Sequence, residues 1–153
     1  MQFDPNNKII KLCADGNAAE GKGDPEMALS LFLQAWNEAG DPFEKFNAAH
    51  FGARHQKTET DKLKWDEMAL KEALKADDAD IKSTYPSQYL NIGKCYEDLQ
   101  DPVLALENYK MAASYQEFLT DDGYGKRIRS VISYGLERIL QNSGNIDPGS
   151  KGI

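Results

Sequence analysis

Histidine and cysteine are the residue types of this sequence best suited to metal binding or nucleophilic catalysis, and the chain has two of each. His50 and His55 are five residues apart, a spacing that does not place both on one face of a helix. No cysteine or pair of carboxylates completes a metal site with them. Cys13 and Cys95 lie within helical patterns without an obvious activating partner, so we expect buried thiols that pack as small apolar groups. The sequence therefore predicts no metal site and no cysteine nucleophile.

Two short segments contain the glycine and lysine found in phosphate-binding loops. They are residues 21–24 (GKGD) and 123–126 (GYGK). Neither follows a strand pattern, and neither continues as a phosphate loop should, so we interpret both as turns or helix starts. The sequence also lacks a G-x-S-x-G serine motif and a strand–loop–helix pattern suited to a nucleotide or S-adenosylmethionine. We therefore predict no cofactor and no enzymatic activity.

The charge balance disfavours polyanionic partners. The formal net charge is -7, whereas proteins that bind DNA or RNA usually present a basic face to the phosphates. The densest basic cluster, formed by Lys126, Arg127 and Arg129, is typical of a solvated helix face. No apolar run approaches the roughly 20 residues of a membrane helix, and the start of the chain does not resemble a secretory signal. We expect a cytoplasmic protein with no nucleic-acid partner and no membrane partner.

Aspartate and proline mark the predicted helix starts. Five of the six prolines follow an aspartate, which can cap a helix N-terminus while the proline occupies its first position. Thr58 gives a weaker version of the same signal. Glycines 21, 23 and 40 fall where a left-handed residue would end a helix. The first four aspartate–proline pairs read as helix starts: Asp4-Pro5, Asp24-Pro25, Asp41-Pro42 and Asp101-Pro102.

The spacing of apolar residues between these marks is helical, and no segment alternates as a strand would. The spacing predicts seven helices, at about residues 5–21, 25–39, 42–56, 59–77, 86–99, 102–117 and 122–141. The length fits a single domain, which we place at residues 1–141. Residues 142–153 are polar and contain glycine and proline, so we expect a flexible tail.

Three segments of the sequence can be superimposed on a pair of alanines seven residues apart. The pairs are Ala28 with Ala35, Ala69 with Ala76, and Ala105 with Ala112. Small residues at such positions let two helices cross closely. In the first and third segments an aromatic residue, Phe32 or Tyr109, stands between the alanines, and a glycine, Gly16 or Gly93, lies twelve residues before the first of them. A residue larger than glycine at 93 should overpack that crossing.

This pattern resembles the tetratricopeptide repeat, a helix–turn–helix unit of 34 residues. The third copy matches best in residue type and spacing, through Gly93, Tyr96, Ala105, Tyr109 and Ala112. The first copy matches less completely. The middle copy departs most, because Ala73 stands where an aromatic belongs. The alanine step from 28 to 69 is 41 residues, which implies about seven extra residues near 57–64.

The resemblance implies a right-handed superhelical stack of antiparallel helix pairs, closed by the last helix as a capping element. It also implies a concave groove, lined by the first helix of each pair, in which a peptide or protein segment binds. The resemblance also implies that Ser87 faces this groove. Carrying the family's positions onto this sequence assigns the groove to Cys13, Asn17, Glu20, Asn47, Phe51, Arg54, Leu90, Asn91, Lys94 and Glu97.

Several functions remain open within this resemblance. Some family members hold a C-terminal carboxylate, and Asn17, Asn91 and Lys94 supply part of such a set, although Cys13 stands where a lysine is expected. We favour a non-catalytic adaptor that binds a protein or peptide. The alternatives are a structural subunit that self-associates as a homo-oligomer or joins a larger assembly, and a regulatory partner of an enzyme.

Overall fold

In a computed structural model the chain is described over residues 4–143, and every regular element in this range is a helix. The elements are α1 (Lys8–Gly21), α2 (Pro25–Glu38), α3 (Pro42–Ala53), α4 (Glu59–Ala76), α5 (Ala79–Lys82), α6 (Tyr85–Asp98), α7 (Pro102–Ser114), a 3-10 helix (Gln116–Phe118) and α8 (Gly123–Ser143). The prediction of an all-α chain with seven principal helices is confirmed. None of the helices in this range is both long enough and apolar enough to cross a membrane.

The aspartate caps form at three of the four predicted places. Asp24, Asp41 and Asp101 each accept a hydrogen bond from the backbone N–H three residues later, at 3.0, 2.8 and 3.1 Å. In each case a proline follows at the first helical position, where a missing N–H costs nothing. Thr58 caps α4 in the same way, over 3.1 Å. Local chemistry therefore fixes where α2, α3, α4 and α7 begin.

The predicted start of the first helix at residue 5 is wrong. Asp4 instead organises a turn, in which its carboxylate accepts from the Asn6 N–H at 2.9 Å. Asn7 is the cap of α1, because its side-chain oxygen accepts from the N–H groups of Ile9 and Ile10 at 2.8 and 3.1 Å. Asparagine is as good an N-cap as aspartate, and here it is followed directly by the buried face of the helix.

The predicted left-handed helix ends are correct at one glycine of three. Gly23 has φ of 80°, whereas Gly21 is the last residue of α1 and Gly40 keeps a negative φ. Gln100 occupies the same place in the α6–α7 turn with φ of 63°, and Asp77 ends α4 with φ of 42°. In the two matching turns, the aspartate that caps the next helix also donates its N–H to the carbonyl five residues before it, at 2.9 and 2.8 Å.

Two helix ends differ from the predictions by three residues, and one short helix was not predicted. The third helix ends at Ala53, three residues early, and α7 ends at Ser114 because the chain turns into the 3-10 helix. The ring of Tyr115 packs there against Tyr85 and Tyr89, with centroids 5.3 and 5.7 Å apart. Helix α5 was not predicted, since its single turn is too short for a periodic signal.

The chain divides into two compact units, Met1–Lys82 and Ser83–Ile153. The first holds α1 to α5, and the second holds α6, α7, the 3-10 helix and α8. We predicted that residues 1–141 form one domain, and whether the two units together make one domain stays a prediction. Within the predicted tail, residues 142 and 143 belong to α8, and residues 144–153 lie outside the described part of the chain.

In the first unit, α1 and α2 cross with a glycine of one helix against an aromatic ring of the other. A Cβ placed on Gly16 would overlap the ring of Phe32, so only glycine fits at this crossing. Phe32 is fully buried, as are Ala28 and Ala35 on the same helix. Helix α3 contacts both α1 and α2, and a Cβ placed on its Gly52 would lie 3.7 Å from the Phe32 Cβ.

The second unit repeats this three-helix arrangement with α6, α7 and α8. A Cβ on Gly93 would lie 2.8 Å from the ring of Tyr109, and one on Gly135 of α8 would lie 3.1 Å from the same ring. Ala105 and Ala112 are fully buried, like their counterparts in α2. As α3 does in the first unit, α8 contacts both preceding helices. The copies around Ala28 and Ala105 therefore occupy equivalent settings.

The extra residues of the middle copy are two additional turns at the start of α4. Ala28 and Ala105 are each the fourth residue of their helix, whereas Ala69 is the eleventh. Trp65 lies in the added turns, where its ring would be 3.7 Å from a Cβ on Gly52 and packs edge-on against Trp36 at 5.6 Å. The added segment thus supplies the aromatic that the repeat lacks at position 73.

Replacing Gly93 with alanine should destabilise the second unit by about 1 to 3 kcal/mol, because the new methyl group would press on the Tyr109 ring and on the carbonyl oxygen of Ala105. Denaturant unfolding measures the change in the free energy of unfolding. The matched control is Gly123→Ala at the start of α8, where a Cβ would meet nothing within 4 Å. Equal stabilities of the two variants would contradict the assigned helix crossing.

Candidate functional site

Four of the predicted groove residues come together where α1 lies beside α3. They are Asn17 and Glu20 from α1, Phe51 from α3, and Arg54, which follows the last residue of α3. Phe32 of α2 lies against Gly16 of α1 and against Gly52 of α3, and this shared contact brings the residues that follow the two glycines to the same side. We call these four residues, with His55, the α1–α3 cluster.

Arg54 links the two helices of the cluster. Its Nη2 donates to the Asn17 side-chain oxygen at 3.0 Å and to Glu20 Oε2 at 2.7 Å. The guanidinium also lies over the Phe51 ring, with Cζ 5.0 Å from the ring centroid. Among the described residues, no side chain or carbonyl accepts a hydrogen bond from Arg54 Nε or Nη1. An exposed guanidinium held in this way keeps several donors for another molecule.

The two aromatic members of the cluster pack on the buried ring of Phe32. The Phe51 ring stacks on Phe32 at 5.7 Å, and the His55 ring stacks on Phe32 at 5.6 Å. Within residues 4–143, the buried Nε2 of His55 makes no hydrogen bond, and it lies 3.6 Å from Glu20 Oε2, beyond ordinary hydrogen-bond distance. The cluster therefore contains, besides the exposed donors of Arg54, one buried polar atom without a hydrogen-bond partner among the described residues.

His50 lies one turn before Arg54 in an apolar setting. Its ring stacks on Phe46 at 5.5 Å and meets Phe51 edge-on at 5.3 Å. Burial lowers the pKa of His50 to about 4, and the positive charge of Arg54 acts in the same direction. His50 is therefore neutral at physiological pH, and it packs as an aromatic side chain.

Two predicted groove residues are buried, which corrects the predicted site. Cys13 is 3% exposed and packs in the core of the first unit with Ile9 and Phe32, while Leu90 is 7% exposed in the second unit. Burial raises the pKa of Cys13 to about 11, so the thiol is neutral and cannot replace the lysine of a carboxylate clamp. Both positions belong to the inner face of their helices, since each lies three residues before the glycine of the crossing.

Asn47 and Glu97 use their polar atoms within the protein. The half-buried Asn47 donates to the carbonyl of Phe43, one turn earlier in α3, at 2.8 Å. Glu97 accepts from the Tyr109 hydroxyl at 2.6 Å and from Arg138 Nη2 at 2.7 Å. Hydrogen bonding from Arg138 lowers the pKa of Glu97, so this carboxylate stays charged. Glu97 thus joins α6, α7 and α8.

Asn91 and Lys94 remain accessible on α6, half-buried and exposed respectively. Asn17, the third residue of the predicted carboxylate clamp, belongs to the first unit, whereas these two belong to the second. Capture of a C-terminal carboxylate by these residues stays a prediction.

The pair formed by Glu20 and Arg54 has a counterpart in the second unit. Glu97 and Arg138 connect α6 to α8 as Glu20 and Arg54 connect α1 to the end of α3. Each glutamate is four residues after the glycine of the helix crossing, and each arginine follows the glycine of the third helix by two or three residues. Arg138 and His55 were not among the predicted site residues. The spacing from Gly135 to Arg138 differs by one residue from that between Gly52 and Arg54, and this similarity could have identified Arg138.

No protein family, curated protein or solved structure matches the chain. Within residues 4–143, no group of three or more histidine, cysteine, aspartate or glutamate side chains is arranged to hold a metal ion. The α1–α3 cluster is therefore a partly exposed polar surface that packs on the ring of Phe32.

The depressed pKa of His50 should make the protein less stable as the pH falls. The unfolded chain binds a proton near pH 6.5 and the folded one only near pH 4, so stability is fully present above pH 6.5 and declines towards pH 4. The full loss, reached below pH 4, should be about 3 kcal/mol. Substitution by phenylalanine, which keeps the ring packing, should reduce the difference in unfolding free energy between pH 7 and pH 5.

Titration of the two histidines by NMR separates this effect from the protonation of carboxylates. The His50 ring should titrate with a midpoint near 4. A midpoint near the ordinary value of about 6.5 would show that the ring is not held in the apolar setting described above.

Proposed function

We propose that this chain is a non-catalytic protein-binding module of the tetratricopeptide-repeat type, and that it recognises a peptide segment at the α1–α3 cluster. One observation carries the proposal. Asn17, Glu20, Phe51 and Arg54, which the resemblance assigns to the peptide-facing side of two neighbouring first helices, form a connected and accessible group. Two pairs of positions that lie more than 30 residues apart in the sequence would not be expected to meet if the register were wrong.

The repeated helix packing supports the assignment to this type. In both units a fully buried aromatic of the second helix meets a glycine of the first helix, and a third helix packs on both. The turns that join the paired helices also match, with Gly23 and Gln100 in the same left-handed conformation. A superhelical stack with a concave groove is the arrangement that this repetition would generate, and it is part of the proposal.

The chemistry of the cluster favours recognition of a peptide backbone over recognition of a strongly charged ligand. The charge of Arg54 is offset by Glu20 at 2.7 Å, so the site has little net charge. The free donors of Arg54 suit peptide carbonyl groups, and the amide of Asn17 can both donate and accept. Phe51 offers an apolar surface beside them, and a buried apolar or aromatic anchor usually supplies most of the binding energy.

Selection from a random peptide library on the immobilised protein tests the proposal. Selected peptides should bind with micromolar affinity, and the Arg54→Ala and Asn17→Ala variants should bind them at least tenfold more weakly, which is about 1.4 kcal/mol. These two side chains lie at the surface, so their removal should leave the fold intact. Met27→Ala, which truncates an exposed apolar residue of α2 in the same unit, is the matched control and should bind like the wild type.

Two results would contradict the proposal. One is the absence of any selected peptide that binds at micromolar concentration. The other is a set of peptides whose affinity is unchanged by both cluster variants, because such peptides would bind elsewhere on the protein.

A further inference from the structure

We propose that two copies of this chain pair through α8, in an antiparallel arrangement with a two-fold axis at Val131. The contact surface is a strip along one solvent-facing side of α8, and we call it the α8 strip. Its members are Tyr124, Arg127, Val131, Tyr134, Glu137 and Arg138. The proposal does not depend on peptide binding at the α1–α3 cluster.

The α8 strip exposes apolar surface that the second unit does not cover. Tyr134 is 64% exposed, Tyr124 is 46% exposed and Val131 is 42% exposed. A different side of α8 packs into the second unit through Ile132 and Ile139, which are both buried. From position 124 to position 138 the strip residues recur every three or four residues, with position 137 at the edge. This spacing suits a second helix that packs lengthwise on the strip.

The two halves of the α8 strip differ in shape. The C-terminal half contains a groove of about 550 Å³. Its lining residues are Val131, Tyr134, Glu137, Arg138 and Gln141. The N-terminal half carries an exposed pair, in which the Arg127 guanidinium lies over the Tyr124 ring with its Cζ 5.8 Å from the centroid. A two-fold contact requires such a surface, because each copy must present both halves of the contact.

The two halves also carry opposite charges that have no partner in their own chain. Among the described residues, no carboxylate forms an ion pair with Arg127 and no cation forms one with Glu137. They are ten residues apart, which is about 15 Å along the helix, so they cannot meet within one α8. The charge of Arg138, by contrast, is already offset by Glu97. An antiparallel copy brings the N-terminal half of one helix beside the C-terminal half of the other.

A two-fold axis at Val131 brings the complementary features together twice. Residues at equal distances before and after the axis then lie level with each other, so Tyr134 of one copy lies beside Arg127 of the other. The distances of Arg127 and Glu137 from the axis differ by two residues, about 3 Å along the helix, which an arginine side chain can span. Each Arg127 therefore gains a carboxylate, and each Tyr124–Arg127 pair enters the groove of the other copy.

The area of this contact suits a specific but weak dimer. A tyrosine side chain can bury roughly 150 to 250 Å², so the exposed fractions of Tyr124 and Tyr134 amount to about 200 Å² per copy. With the other strip residues, each copy would bury on the order of 500 Å² and the pair about 1,000 Å², the size at which specific interfaces begin. We therefore expect a dissociation constant in the micromolar range.

The net charge of -7 does not prevent this pairing, because it belongs to the whole chain. Exposed charges separated by more than about 8 Å are largely screened at physiological ionic strength. At the contact itself, Arg127 faces Glu137 of the other copy, and Arg138 is paired with Glu97. The short-range pairs therefore determine whether the two strips attract or repel each other.

Sedimentation velocity of the full-length protein across the micromolar range tests the proposal. The sedimentation coefficient should rise with concentration from that of a monomer to that of a dimer. Arg127→Glu and Glu137→Arg should each weaken the dimer at least tenfold, because each variant places like charges together at both symmetry-related contacts. The double variant restores opposite charges, so its dissociation constant should lie within about threefold of the wild-type value.

The single variants also separate local pairing from overall repulsion. Glu137→Arg replaces one negative charge with one positive charge and so changes the net charge from -7 to -5. A dimer limited by overall repulsion would become tighter in this variant, whereas the proposed contact becomes weaker. Val103→Ser, at an exposed position of α7 in the same unit, is the matched control and should dimerise like the wild type. Arg54→Ala in the α1–α3 cluster should also leave dimerisation unchanged.

A disulfide locates the two-fold axis. Val131→Cys should form a cross-linked dimer on mild oxidation, since residues on the axis of two packed helices approach the Cα separation of about 4.4 to 6.8 Å that a disulfide spans. The native Cys13 and Cys95 are buried and should not compete. Val103→Cys is the control variant and should remain a monomer under the same conditions.

Four results would overturn the proposal. A monomer at every concentration would do so, and it is also the result expected if another protein or another part of the chain covers the α8 strip. A dimer that neither charge variant weakens would use a different surface. A double variant as weak as the single variants would exclude the pairing of Arg127 with Glu137. Equal cross-linking of the two cysteine variants would contradict the axis at Val131.

Discussion

A buried aromatic ring held against a glycine of the preceding helix is the contact on which each three-helix group depends. Phe32 occupies the space left by the missing side chain of Gly16, and Tyr109 does the same beside Gly93. Because the ring fills the gap between two closely approaching helices, it fixes both their separation and their register. The third helix then packs on the other side of the same aromatic residue, which lies against Gly52 in one unit and Gly135 in the other.

This packing determines which side chains reach the surface. With α1 and α3 on either side of Phe32, the residues that follow Gly16 and Gly52 face one another, and Arg54 can reach Glu20. The same relation brings Arg138 to Glu97 in the second unit. The two ion pairs differ in one respect, since Glu97 also accepts from the Tyr109 hydroxyl, for which Phe32 has no equivalent. The second pair is therefore tied to the core, whereas the first lies at an accessible surface.

The sequence predicted the helices well because their signals are local. An aspartate followed by proline caps a helix whatever surrounds it, and the three caps at Asp24, Asp41 and Asp101 formed as expected. The start of α1 was wrong because Asn7 offered a competing cap closer to the buried residues. The register of the middle repeat could be determined only from the structure. Its aromatic residue, Trp65, lies two turns before the position at which the other copies have their aromatic.

The candidate site could be predicted only in part, because exposure depends on the neighbours of a helix as well as on its own periodicity. Cys13 and Leu90 lie on helices of the correct type, yet both face the core. The residues that form the exposed face of α8 could not be predicted for the opposite reason. The residues Val131 and Tyr134 suggest burial from their type, and only the packing of α8 on α6 and α7 shows that they stay in solvent.

A double-mutant cycle on Gly16 and Phe32 tests the central claim most directly. Gly16→Ala should destabilise the protein because its methyl group would overlap the Phe32 ring, and Phe32→Leu should do so through lost packing. Leucine leaves room for the methyl group, so the double variant should be more stable than the sum of the two single changes predicts, by about 1 kcal/mol or more. Strictly additive changes in the free energy of unfolding would contradict the claim that these two residues set the helix crossing.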